Sequence, residues 1–157
     1  SMIGTTVREL VPGDVDDCEQ ILRSLPDCFR IEESLLQYVR DLSQLEAYVA
    51  ENSRRVTGFV SLRVHNRFSA EIDVMAVRPE FRGHGVGGAL IDHLEQRLRS
   101  RSVDFLQVKT LGPSRPDEHY EQTRGFYEHM GFRPLEENNL WGATNPCLIM
   151  VKHIADR

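Results

Sequence analysis

The stretch RPEFRGHGVGGALIDHLEQRL, Arg78 to Leu98, joins a strand-like segment to an amphipathic helix through an arginine and four glycines. Gly83, Gly85, Gly87 and Gly88 carry no Cβ, so successive N–H groups can turn toward one anion. Val86, Leu90, Leu94 and Leu98 recur every fourth residue and form one apolar stripe. Asp92, His93, Glu95, Gln96 and Arg97 are expected mostly toward water. The helix is predicted to start between Gly85 and Gly88, which points its N-terminus at the loop. Unsatisfied amides and the positive end of the helix dipole favour a phosphate there, and Arg82 adds a forked donor. The region reads as an anion cradle.

Two nucleotide patterns compete for it. Gly83, Gly85 and Gly88 spell GxGxxG, the dinucleotide fingerprint, but Arg78 to Arg82 separate the strand from the first glycine and no acidic residue ends the next strand. A P-loop is excluded because no GK[ST] follows the glycines. The spacing that remains is an arginine, two residues, a glycine, one residue and a glycine: Arg82, Gly85 and Gly87.

The rest of the chain bounds what this cradle can serve. At 157 residues one domain over 1–157 is expected, with room for a substantial core. The formal charge of −5 argues against a general affinity for nucleic acid or anionic membranes, so any anion site is local. Cys18, Cys28 and Cys147 are odd in number and lack metal-ligand spacing, so neither disulfides nor a metal site is expected. No apolar signal segment or membrane-length run stands out, and a cytoplasmic protein is the expectation.

Working outward from the cradle, Thr5–Val11 reads as a strand, with Pro12-Gly13-Asp14 as turn and helix cap. Helices are predicted from Val15 to Leu25 and from Ile31 to Leu42. Strands follow at Glu46–Ala50, Val56–His65 and Ser69–Val77, a meander by their β-branched and aromatic content. After the glycine-led helix come a strand at Asp104–Lys109, a helix from Asp117 or Glu118 to Met130 closed by Gly131, and a last strand at Pro146–Ile154. The order β-α-α-β-β-β-α-β-α-β-β describes an α/β unit with a mixed sheet.

The Arg82, Gly85, Gly87 spacing resembles the coenzyme A pyrophosphate loop of the GNAT N-acetyltransferases. Met75-Ala76-Val77-Arg78-Pro79 is similar to the approach strand of that family, and Phe126-Tyr127 with Gly131-Phe132 to its second signature, FYxxxGF. The chain further resembles a group of bacterial GNAT proteins of unassigned substrate in Leu106–Gly112, Thr123–Tyr127 and Leu140–Lys152. The resemblance implies a single-domain GNAT fold: a mixed, mostly antiparallel central sheet with a splayed parallel strand pair, Ser69–Val77 beside Asp104–Lys109, and flanking helices.

It also implies an activity, acetyl transfer from acetyl-CoA to a primary amine by direct attack in a ternary complex. Met75, Ala76 and Val77 would meet the pantetheine arm; Arg82, Gly83, His84, Gly85, Val86, Gly87 and Gly88 would hold the pyrophosphate. Thr123, Arg124 and Phe126 are candidate coenzyme contacts on the second-signature helix, where Tyr120 stands in place of the family's asparagine. Arg124 has two readings, a phosphate contact or a pair with Glu121 or Glu128.

Acetyl transfer needs a base for the amine and an acid for the departing sulfur. Tyr127 matches the family's thiolate-protonating tyrosine. Glu71 occupies the place of a general-base glutamate, and Asp73 shares its face of an alternating strand. These carboxylates, with Glu32 or Glu33, hint at a cationic acceptor. Trp141 is expected to border the acceptor pocket or cap the core, Cys147 to pack, and the other histidines to be surface or satisfied side chains. The implied partner is a small-molecule amine, with no nucleic acid or membrane, and a homodimer is admitted. Two alternatives stay open: a non-catalytic acyl-CoA sensor, and an acetyltransferase acting on a protein amine.

Overall fold

Alternation is cleanest in Ser69–Val77, where buried Ala70, Ile72, Val74 and Ala76 interleave with half-buried Glu71, Asp73, Met75 and Val77. That period of two marks a strand whose two faces meet different surroundings. The computed structural model describes residues 4–154. Its elements are β1 (Thr5–Glu9), a 3₁₀ turn (Pro12–Asp14), α1 (Val15–Arg23), α2 (Glu32–Asp41), β2 (Glu46–Asn52), β3 (Arg55–Val64), β4 (Ser69–Val77), a 3₁₀ turn (Pro79–Phe81), α3 (Val86–Arg99), β5 (Phe105–Leu111), α4 (Glu118–His129), β6 (Arg133–Asn138) and β7 (Cys147–His153).

The strands form one seven-stranded sheet in the order β1-β2-β3-β4-β5-β7-β6. β1/β2, β2/β3, β5/β7 and β6/β7 pair antiparallel, and β4/β5 is the parallel pair. Its register runs from Ser69↔Phe105 to Ile72↔Val108 and stops there, although both strands continue. The mixed sheet and the parted parallel pair are as the sequence led one to expect.

The chain divides into two compact units. One holds the described residues up to Arg63 together with Asp73–Arg97, the other Val64–Ile72 together with the chain from Leu98. In the first, Cys18, Ile21 and Leu22 of α1 and Leu35 of α2 pack with Val49, Phe59, Val74 and Ala76 of the strands. Each fully buried aliphatic side chain contributes about 1.5–3 kcal/mol, which is why α1 and α2 hold at nine and ten residues, too short to persist alone. Gly58 of β3 is a seat for α3: a Cβ there would stand 3.0 Å from both the Ala76 carbonyl oxygen and Val86 Cγ1.

In the second unit, Leu106 and Val108 of β5, Leu148 and Met150 of β7, and Phe132 are buried. Gly131 takes φ +98°, and Phe132 N–H donates to the Tyr127 carbonyl at 3.0 Å, the left-handed cap expected at the end of α4.

Three expectations are corrected. β1 ends at Glu9 rather than Val11. Asp14 does not cap α1 with its side chain; its carboxylate turns back to accept the Val11 N–H at 2.8 Å and two bonds from Arg8 at 2.8 and 3.0 Å. Glu95, placed toward water by the four-residue period, is 2% exposed. It stands one residue after Leu94 on a stripe that is wider than a strict four-residue row.

Candidate functional site

Gly83 and Gly85 both adopt positive φ, +79° and +81°, a region L side chains enter only with strain. Together with the 3₁₀ turn at Pro79–Phe81, they swing the chain from the end of β4 into α3. Arg78, only 6% exposed, fixes that exit: its Nε donates to the Val56 carbonyl at 2.7 Å and its N–H to the Thr57 carbonyl at 2.8 Å. Within the loop, the N–H groups of Phe81, Arg82 and His84 are spent on turn bonds. Those of Gly83, Gly85, Val86, Gly87 and Gly88 donate to no described residue. Arg82, Gly83, His84 and Gly85 are exposed. The result is five uncommitted donors at the start of a fourteen-residue helix, with a guanidinium beside them.

A second group sits on the half-buried face of the β4/β5 pair. Glu71 accepts from Lys109 Nζ on Oε2 at 2.7 Å, and His65 Nε2 lies 2.7 Å from Oε1. The glutamate side chain is 12% exposed, so both of its oxygens are committed in a poorly hydrated place. Asp73, two residues on, receives Arg63 Nη2 at 3.3 Å. Neither Lys109 nor His65 stood out in the sequence. Their tie to Glu71 depends on the parallel register that sets Glu71 opposite Gln107, one alternation from Lys109, and on the β3–β4 turn that returns His65 past Ser69.

Tyr127 sits on α4 with its ring 5% exposed, edge-on to Phe126 at 5.3 Å and Phe132 at 5.4 Å. Burial pushes its phenol well above the ordinary tyrosine range, so it keeps its proton at neutral pH. Its hydroxyl donates to no described residue.

The GNAT acetyltransferase domain family matches residues 43–134, more than half of the chain. The chain belongs to that family. An uncharacterized N-acetyltransferase of Chlorobaculum tepidum is 28% identical over 122 residues, 75% of this chain and 68% of that protein. A GNAT-family protein from Desulfovibrio desulfuricans superposes with a TM-score of 0.86 at 18% identity, over 96% of this chain and 99% of that one. An aminoglycoside 6'-N-acetyltransferase solved with coenzyme A gives 0.76 at 20% identity, over 97% and 98%. At such identities the likeness is one of fold.

Other expected residues of this GNAT chain find less obvious places. Met75 and Val77 are half-buried and Ala76 buried at the end of β4, past the point where pairing with β5 stops. Arg124 does not pair with Glu121 or Glu128; its Nη1 donates to the Leu111 carbonyl at 2.7 Å and ties α4 to the end of β5. The Thr123 hydroxyl turns back onto the His119 carbonyl at 3.3 Å. Glu32 is held by Arg23 through two bonds of 2.8 Å. Trp141 is 43% exposed in the β6–β7 connection and caps no core. Cys147 is fully buried, and burial pushes its thiol upward, which suits packing and not nucleophilic attack. No helix is long and apolar enough to cross a membrane, and no group of potential metal ligands occurs among the described residues.

Proposed function

We propose that residues 1–157 act as one domain that transfers an acetyl group from acetyl-CoA to a primary amine within a ternary complex. The observation that carries this reading is the set of five uncommitted amides beside Arg82 in a chain of the GNAT family. Those amides and Arg82 fit a pyrophosphate, as the closely approaching backbone leaves no side chain in the way. His84 flanks the same charge. Past Ile72 the β4 backbone is unpaired with β5 among the described residues, which suits amide contacts from a pantetheine arm. Acetyl-CoA, when bound, supplies an acetyl group already activated as a thioester.

The chain's own residues then have two proton tasks. Glu71 takes the proton of the attacking amine on Oε2, in place of one Lys109 bond, and His65, on Oε1 at the solvent boundary, passes a proton to water. Asp73 extends the acceptor side of the same strand face. Tyr127 holds a phenolic proton that burial keeps in place, available to the sulfur as it leaves. Phe126 and Phe132 hold its ring still, while Thr123 and Arg124 on the same helix are candidate coenzyme contacts.

The test follows free thiol release from acetyl-CoA with a panel of amines, beside calorimetric titration of coenzyme A. Wild type is expected to turn over at least one amine. Tyr127→Phe should lower kcat by about 100-fold with coenzyme affinity kept, and Arg82→Ala should weaken coenzyme binding about tenfold, less so at high salt. Coenzyme binding without thiol release from any amine would leave a sensor in place of an enzyme.

A further inference from the structure

The face of the sheet that carries Glu71 continues into an apolar hollow of about 270 Å³. Phe105 of β5, Leu135 of β6, and Ile149 and Val151 of β7 form its walls, with Ser69 and Gln107 as its polar members. Ser69 precedes Glu71 by two residues on one strand, and Gln107 is Glu71's partner across the parallel pair. The hollow therefore adjoins the carboxylate directly, about 7 Å along the strand. Phe105 and Leu135 are 43% and 64% exposed, so the hollow's walls present apolar surface to solvent. The Ser69 hydroxyl and the Gln107 amide bond to no described residue. Apolar walls with a few uncommitted polar groups converging on them are the marks of a ligand site.

The charges beside it point the same way. Glu71 is neutralised by Lys109 and His65, Asp73 by Arg63, and Glu32 by Arg23. Of the acidic residues that hinted at a cationic acceptor, Glu71, Asp73 and Glu32 each have a basic partner within the protein, so the strand face beside the hollow carries little spare negative charge.

Resting on the transferase reading above, we propose that this hollow receives the apolar end of the acceptor, a small primary amine whose nitrogen and one aryl or branched alkyl group are separated by a short chain. The amine meets Glu71 while the apolar group lies between Leu135, Phe105 and Val151. A volume of about 270 Å³ takes one such group.

The experiment compares 2-phenylethylamine, 3-methylbutylamine, ethylamine, spermidine and kanamycin as acceptors for the full chain, reading thiol release. Burial of the ring should favour phenylethylamine over ethylamine by about 30-fold in kcat/KM. Leu135→Asp, at an exposed position that the fold tolerates, should shrink that ratio about tenfold, mainly through KM. A second readout needs no coenzyme: phenylethylamine should raise the Tm of wild type and fail to raise that of Leu135→Asp. Turnover of spermidine or kanamycin in preference to the apolar amines overturns the hollow and leaves the transferase reading intact. So does a dimer in solution that Leu135→Asp dissociates. Thiol release from no amine, with coenzyme bound, defeats the transferase reading first and the hollow with it.

Discussion

Around Arg82–Gly88 the groups proposed to meet a ligand are backbone amides and one guanidinium drawn from seven consecutive residues. Around Glu71 they are side chains gathered from β4, β5, β6, β7 and the β3–β4 turn. The loop depends on local conformation, on glycines able to hold φ near +80°. The sheet face depends on register, on which residue of one strand lies opposite which residue of another. A local device fails when its backbone is strained, whereas a register device fails when one partner is removed and the other is left behind.

The largest expected effect tests the local device. Gly85→Val places a β-branched residue at φ +81° in an exposed loop, so the fold should survive while the amides lose their aim. Strain of about 1–3 kcal/mol corresponds to a loss of coenzyme A affinity of about 10- to 100-fold, read by calorimetry. An unchanged affinity would mean that the cradle does not act through its backbone. The register device is tested by Lys109→Met, which leaves Glu71 with His65 alone in a place only 12% exposed. Stability should fall by about 1–2 kcal/mol in urea, with coenzyme affinity unchanged and Lys109→Arg recovering most of the loss.

The smallest effect comes from Asp14, an acid that serves the fold in neither region. Arg8 first, then the Val11 amide, hold its carboxyl below the ordinary aspartate range. A depressed carboxylate stabilises above its unfolded pKa of about 3.9, and that contribution is lost as pH falls through the lower folded value. Asp14→Asn should therefore cost about 1 kcal/mol at pH 7, discounted for the partly exposed Arg8, and nearly nothing near pH 2. A constant difference across that range would assign the effect to packing.

The same contrast explains what could be read beforehand. Arg82, Gly85, Gly87 and the α3 stripe were legible because turn chemistry and helical period act over a few residues. Tyr127 was singled out only through the resemblance of Phe126-Tyr127 and Gly131-Phe132 to the family's second signature. Lys109 and His65 were invisible because nothing in LQVKTLG or in VHNRF says that both end on Glu71. Glu95 misled for a related reason: its burial is set by what α3 lies against, and not by its own place in the period. Arg124, for which a helix-surface pair with Glu121 or Glu128 was one reading, bonds instead to a strand carbonyl thirteen residues back.

The sequence alone determined the element order, the glycine conformations at Gly83, Gly85 and Gly131, and the glycine-led start of α3, since each is decided by backbone sterics within a turn or two. Tertiary structure alone decided that Glu71 is ion-paired with Lys109 and that an apolar hollow opens beside it. Those outcomes turn on the pairing of strands distant in the chain, where a shift of one residue moves every side chain to the opposite face.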